Sequence, residues 1–338
     1  MLFKNKFSSI YNFLPEGCRL CWKGAKMVLF VTGRCKLKCW YCPISDERKG
    51  KNVVYANERP VKNFVDALRE AREMNALGMS ITGGEPLLNT QIINKTLTYI
   101  RYFKKRFKPF HVHLYTYGYT INQHVLRLLE NAGLDELRFH SFLPNKIKEA
   151  VKFGFNVGIE TPCIPGNEKK LKEIVDFCAK ISKIKQVFLN LNEFEFSETN
   201  WQEMRKHGFK PIGESYAVKG SLELGEKILQ YAARKSVNAH FCSVKTKFML
   251  QLVERLKRRV KNIKRPWQKI NKYGYLVYGE VKCNKKLAEK WKVHYKGHNL
   301  AETSVEKARE LAKKYKVEAW KVTLFPIYKP WIFERAKL

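Results

Sequence analysis

Acidic residues are scarce in this chain. Its 338 residues hold 31 Asp and Glu against 65 Lys and Arg, a formal net charge of +34. Long apolar runs are missing too. The best stretch, residues 27–31, has strand length, well short of the ~18 residues a membrane span needs. Residues 1–15 mix Phe, Ile and Leu with Lys, Asn and Ser, without a signal-type apolar core or cleavage site. These absences exclude a helical membrane protein and predict a cytoplasmic one. The nine cysteines are odd in number and unevenly spaced, which argues against a disulfide framework. The chain does not lack apolar material. Hydrophobic residues make up 45% and aromatics 13%, enough for a real core, so global disorder is excluded.

The excess charge bears on partners rather than on fold. Self-repulsion on this scale is relieved by a polyanion, with nucleic acid the first candidate. Residues 243–338 hold 26 Lys and Arg against 8 acids, or +18 in 96 residues. The first 242 residues carry the other +16. The composition shift suggests three parts: an N-terminal segment (1–25), a central domain (26–242) and a basic C-terminal domain (243–338).

Five cysteines fall within 25 residues, and clustered thiols in a reducing compartment point to metal. The central set is Cys35-Lys-Leu-Lys-Cys39-Trp-Tyr-Cys42, spaced C-x3-C-x2-C. Three thiolates in so short a loop can take three corners of an iron–sulfur cubane and leave one iron open. The alternative is a zinc site that borrows a ligand from elsewhere. The loop follows an apolar, strand-like segment, 28–32. Some forty residues later Met79-Ser-Ile-Thr82 runs into Gly83-Gly84-Glu85-Pro86, whose glycines let the backbone approach a ligand.

Together these motifs resemble the radical S-adenosylmethionine (SAM) enzymes. Their signature is C-x3-C-x-Φ-C after the first barrel strand, with Φ aromatic, and G-G-E-P after the second. Here Tyr41 is the aromatic and Gly83, Gly84, Glu85 and Pro86 form the second motif. The resemblance covers about residues 26–215. It implies a [4Fe-4S] cluster on Cys35, Cys39 and Cys42, with SAM chelated at its open iron. It also implies reductive cleavage to a 5′-deoxyadenosyl radical and an electron donor such as ferredoxin or flavodoxin.

The middle of the chain alternates β-type and amphipathic helical runs, the βα pattern of a parallel barrel or sheet. Strands are predicted at 27–32, 78–82, 111–117, 134–140, 155–160 and 186–192. Helices are predicted at 60–76, 90–106, 121–131, 145–153 and 167–182. Six βα units match the partial (β/α)6 TIM-type barrel that the resemblance implies, in an α/β fold with a basic α+β extension. Sites in such folds lie at the C-terminal ends of strands. Following the family's pattern, Thr116 and Glu160 are candidate SAM contacts, and Asn190 is a third by its place at the top end of the sixth strand. Tyr117 stands where the family commonly has Asn. His140 faces cofactor or substrate, or is a packed structural histidine. Asn192 and Glu193 are candidates to orient a substrate.

Cys18-x2-Cys21 precedes the first strand, and His240-Phe-Cys242 ends a later β-like run, 237–241. Cys18, Cys21, His240 and Cys242 could form a second site for zinc or another iron–sulfur cluster, if the topology joins them. The alternative is buried thiols without metal. In the tail, Phe248, Leu252, Leu256 and Ile263 mark an amphipathic helix ended by Pro266. Residues 273–281 read as a strand or hairpin, 305–315 as a helix and 317–325 as a strand. Basic side chains interleaved with Trp267, Tyr273, Tyr275, Tyr278, Trp291, Tyr295 and Trp320 suit an RNA grip. The expected activity is therefore RNA modification, with tRNA the favoured substrate. The alternatives are a protein or peptide modifier of the glycyl-radical-activase kind and a non-catalytic iron–sulfur RNA-binding protein.

Overall fold

The computed structural model describes residues 1–182, 185 and 187–338. The chain divides into two compact units: Met1–Ala71 with Ala76–Gln251, and Arg72–Asn75 with Leu252–Leu338.

Seven parallel strands build the first unit: β1 (Lys26–Phe30), β2 (Gly78–Thr82), β3 (His111–Thr116), β4 (Glu136–Phe139), β5 (Asn156–Cys163), β6 (Val187–Glu193) and β7 (Asn238–Cys242). They lie side by side in chain order, flanked by short antiparallel strands at both edges, and the described residues show no pairing that closes the sheet. This is the expected partial barrel with one more strand than predicted. The later β-like run at 237–241, not among the six predicted strands, pairs in parallel with β6 from Phe188↔Asn238 to Asn192↔Cys242. The strand predicted at 186–192 starts at a position outside the described residues.

Between the strands run α2 (Phe64–Glu73), α3 (Thr90–Arg106), α4 (Gln123–Ala132), α5 (Pro144–Ala150), α6 (Glu168–Ile181) and α7 (Ser221–Arg234). Helix α3 has the predicted bounds, because the Asn89 side chain accepts from the Ile92 N–H at its start. Helix α2 starts four residues late. Arg59–Pro60 first pairs with Tyr55–Ala56, and Asn63 Oδ1 accepts from Val65 and Asp66 N–H to begin the helix.

Period-two alternation assigns the two faces of the sheet. One face aligns Met79, Val112, Ile81, Leu114, Leu137, Val157, Ile159, Leu189 and Phe241, all without solvent exposure. This face carries the helices: the Phe241 ring lies against Gly225 of α7, where a Cβ would sit 2.3 Å from it. The opposite, inner face aligns Ser80, His113, Glu136, Arg138, Glu160, Asn190 and His240, so the barrel interior is polar.

The N-terminal segment plugs that interior. Ile10–Tyr11 adds to the edge of β7 through Phe241↔Ile10 and His240↔Tyr11. Helix α1 (Glu16–Trp22) then lies against the inner face. A Cβ on Gly17 would sit 2.4 Å from His113 Nδ1 and 2.8 Å from Arg138, so only glycine permits this approach.

The second unit is a six-stranded antiparallel sheet with three helices, α8 (Val253–Ile263), α9 (Lys285–Trp291) and α10 (Val305–Tyr315). Its central strand is β8 (Leu276–Lys282), followed by β9 (His294–Gly297), β10 (Leu300–Thr303), β11 (Ala319–Phe325) and β12 (Trp331–Lys337). Lys269–Ile270 supplies the sixth strand. Val281, Trp291, Ala301, Leu311 and Ala319 form its core. The expected α+β extension is present, and 305–315 is helical as read. Helix α9 and strands β9, β10 and β12 were not anticipated. Strand β12 is exposed along its whole length, so it lacks the alternation that betrays a half-buried strand.

Candidate active site

The cysteine loop begins just beyond the C-terminal end of β1. Its thiols stay accessible, with Cys35 exposed and Cys39 and Cys42 half-buried. What holds the loop is aromatic. The Trp40 ring stacks on His207 at 4.1 Å and on Phe209 at 5.7 Å between centroids. Tyr41 packs edge-on against Phe194, and its backbone carbonyl accepts from Asn200 Nδ2 at 3.0 Å. Both rings join a small core of Phe194, Phe196, Met204 and Val218. Sequence reading singled out Tyr41 but missed Trp40, His207 and Phe209, because aromatic stacking between distant segments leaves no periodic trace.

The Gly-Gly-Glu-Pro turn is stapled to the start of this loop. Gly84 N–H donates to Thr32 O at 2.6 Å and Glu85 N–H donates to Arg34 O at 2.9 Å. A Cβ would lie 2.4 Å from Thr32 O at Gly83, and 2.3 Å from Arg34 O at Gly84. The glycines therefore bring the two motifs into backbone contact.

Glu85, part of the motif that the resemblance brings to the cofactor, turns its side chain inward. It is fully buried. Its Oε1 accepts from Leu87 N–H at 2.8 Å and Thr116 Oγ1 at 2.7 Å, and its Oε2 accepts from Tyr117 N–H at 2.8 Å. The carboxyl clamps the turn to the end of β3. The same bond occupies the Thr116 hydroxyl, which also accepts from Gly118 N–H at 3.0 Å.

Burial pushes the Glu85 carboxyl up from 4.5 to about 7, with the three hydrogen bonds opposing. The protonated carboxyl thus favours folding below about pH 4.5, and that contribution is lost as pH rises through about 7. Glu85→Gln sets an amide N–H against a backbone N–H and should cost about 1–3 kcal/mol. The difference in Tm between wild type and this variant is expected to be largest near pH 4–5, within the low arm of that window, and to narrow towards neutral pH. A gap that widens with pH would refute the clamp.

Two cavities open from the cysteine loop into the barrel. One of about 630 Å³ is lined by Cys39, Tyr41, Tyr119, His140 and Thr161. Another of about 330 Å³ is lined by Tyr41, His140, Glu160, Asn190, Asn192 and Glu193. They share Tyr41, His140 and Pro162. His140 Nε2 lies 3.4 Å from the Tyr41 hydroxyl, and burial lowers its pKa despite the nearby Glu160. Glu160 accepts from Arg138 at 2.8 Å and from Asn192 Nδ2 at 2.8 Å. Glu193 accepts from the Val244 N–H at 2.6 Å, and burial raises its pKa.

Sequence reading did not find the organising charge of this interior, Arg138. It is fully buried and bonds Glu136 at 2.5 Å, Glu160 at 2.8 Å, the Tyr115 hydroxyl at 3.3 Å and Cys18 Sγ at 3.4 Å. Lys247 and Gln251, one helical turn apart, also line the smaller cavity and were missed.

Of the proposed second set, Cys18, Cys21 and Cys242 all line the smaller cavity. His240 does not join them there. Its Nδ1 lies 2.6 Å from Asn190 Oδ1, and its ring packs between Tyr11 and Trp22. Cys163, Cys178 and Cys283 are buried thiols. No described helix is long and apolar enough to cross a membrane.

The family model of the radical SAM superfamily matches residues 29–142, which span both motifs. A protein of Methanocaldococcus jannaschii, provisionally named a glycyl-radical enzyme activating enzyme, is 39% identical over 284 residues, covering 80% of this chain and 74% of its own. A provisionally named GTP 3′,8-cyclase of Methanococcus maripaludis is 28% identical over 178 residues, covering 47% of this chain and 56% of its own. Among solved structures, Streptococcus suis SuiB bound to its precursor peptide SuiA is similar, with a TM-score of 0.45 at 20% identity, over 65% of this chain and 48% of that one. With the family match on the two motifs and a 39% identical relative along most of both chains, this chain belongs to the radical SAM superfamily.

Proposed function

We propose that this radical SAM enzyme abstracts hydrogen from a glycyl residue of a partner protein, as an activating enzyme. The observation that carries this reading is the 39% identity, over most of both chains, to a relative provisionally named for that activity. It replaces RNA modification as the favoured reading. The RNA reading rests on charge and aromatic content, and a basic surface serves an acidic protein as well as a nucleic acid.

Members of the superfamily use a [4Fe-4S] cluster and SAM. The residues present fit both. Cys35, Cys39 and Cys42 are accessible and lie within one loop. Among the described residues no three His, Cys, Asp or Glu side chains converge on a single ion. Ligands of a cubane each take a different iron, so such convergence is not required of them. The 630 Å³ cavity beside Cys39 is of the size that holds a nucleoside-sized ligand. When bound, the reduced cluster supplies the electron that splits SAM and yields the radical that takes the substrate hydrogen.

The chain's own residues have three tasks. Cys35, Cys39 and Cys42 hold the cluster. The backbone of Gly83–Pro86, fixed by the Glu85 clamp and by Thr116, forms the wall beside it. Tyr41, His140, Glu160, Asn190, Asn192 and Glu193 line the route inward and position cofactor and substrate. Arg138 holds Glu160, and Asn192 bonds the same carboxylate, so both carboxylate oxygens have a fixed direction. An electron donor of the ferredoxin or flavodoxin kind completes the system.

The test is anaerobic incubation with SAM, a reductant and a glycyl-radical enzyme from the same source, read by electron paramagnetic resonance. A glycyl radical signal on that protein is expected, and none with total tRNA in its place. Modified tRNA nucleosides with no protein radical would overturn the reading in favour of RNA.

A further inference from the structure

Three thiols outside the cluster loop meet on the wall of the inner cavity. Cys18 and Cys21 stand one helical turn apart on α1, and Cys242 closes β7. They meet because Ile10–Tyr11 joins the edge of β7 and carries α1 into the barrel. Each thiol lies within electrostatic reach of another: Cys18 of Cys242, Cys21 of Cys18, and Cys242 of Cys21. Their surroundings differ from those of Cys178, which packs with Leu171, Ile174 and Val175 on the buried side of α6. Cys18 receives an Arg138 N–H at 3.4 Å, and Cys242 receives Gln251 Nε2 at 3.3 Å. Burial is the leading influence on all three thiols, and the charges around them are mixed: Arg138 and Lys26 near the Cys18–Cys21 pair and Lys247 near Cys242, with the carboxylates of Glu136 and Glu160.

We infer that Cys18, Cys21 and Cys242 hold a second metal centre, an iron–sulfur cluster with one iron open to the inner cavity. Soft thiolates select zinc or iron–sulfur clusters. A single zinc ion needs its ligands to converge on one point, and no three metal-ligating side chains among the described residues do so. A cluster takes each thiolate on a separate iron and does not impose that convergence. His240 places its Nδ1 2.6 Å from Asn190 Oδ1, leaves its Nε2 buried without a hydrogen-bond partner, and does not line the cavity with the three thiols. The open iron would belong to the cavity that Glu160 and Asn192 also line, where an amine or carboxylate of the substrate could bind it.

The inference stands apart from the proposed function, since its ligands lie outside the Cys35–Cys42 loop. The full chain is reconstituted anaerobically with iron and sulfide, and iron and acid-labile sulfide are counted per chain. The Cys35→Ala/Cys39→Ala/Cys42→Ala variant is expected to keep about four irons and the visible absorbance of a cluster. The Cys18→Ser/Cys21→Ser/Cys242→Ser variant is expected to lose half the iron of the wild type. Mössbauer spectra of the wild type, which need no variant to fold, should require two clusters. An iron-free first variant that retains its circular dichroism, zinc in place of iron, or a wild type with one cluster would overturn the inference. Loss of cluster from the Cys35–Cys42 loop alone would count against the proposed function and leave this site standing.

Discussion

Cys39→Ala is expected to abolish 5′-deoxyadenosine formation while leaving the fold intact. Two thiolates cannot hold a cubane that needs three, and the reaction has no route without the electron delivered through it. The loop itself does not depend on the thiol. Cys39 is half-buried, while Trp40, stacked on His207 and Phe209, and Tyr41, packed on Phe194 and tied to Asn200, carry the anchoring. The stability change should therefore stay within about 0.5 kcal/mol, as for surface substitutions. Anaerobic absorbance, product analysis by mass spectrometry and thermal unfolding read the three effects separately. Deoxyadenosine from the variant would remove the assignment of this loop as the cluster site.

Arg138→Met should be among the most destabilising single changes in the barrel. The guanidinium sits between Glu136 and Glu160 with almost no exposure, and it bonds Tyr115 and Cys18 as well. Removing it strands two buried carboxylates, one of them only 3.9 Å from an equally buried histidine, His113. Breaking a buried ion pair by deleting one partner costs about 3–5 kcal/mol. Burial lowers the pKa of His113 well below the ordinary range, with the nearby cations adding to it, so its ring is neutral and offers no replacement charge. Arg138→Lys keeps a charge but loses the fork that reaches both acids, and it should fall between the two. Urea unfolding of the three proteins measures the order. Equal stability for wild type and Arg138→Met would show that the inner-face network is not structural.

The sequence exposed the reaction more readily than the substrate. Cys35, Cys39, Cys42 and the Gly83–Pro86 turn are local motifs, and the alternation of strands and helices is periodic, so both could be read directly. Three kinds of feature could not. The seventh strand looked like a stray run because its pairing with β6 depends on register between segments about fifty residues apart. Glu85 could be read only as one letter of the Gly-Gly-Glu-Pro motif. Only the fold shows Leu87, Thr116 and Tyr117 using both its oxygens. Arg138 lies in a strand whose inner face is polar, so an isolated basic residue there carried no signal of burial. The grouping of Cys18, Cys21 and Cys242 was conditional on topology, and the topology that brings them to one cavity is an added edge strand. His240, expected with them, turns instead to Asn190.

The excess of +34 has a narrower meaning in light of the fold and the relatives. The Cys35–Cys42 loop, the Gly83–Pro86 turn and both cavities lie in the first unit; of residues 243–338, which carry +18, only 243–251 belong to that unit, and Lys247 and Gln251 among them line the smaller cavity. Charge of that kind speeds encounter with an acidic partner and does not choose the reaction.

The most direct measurement is product analysis of the wild-type chain, reconstituted with iron and sulfide, reduced, and given SAM under anaerobic conditions. Equal amounts of 5′-deoxyadenosine and methionine are predicted. SAM recovered intact from protein that carries a full, reduced cluster would contradict the account.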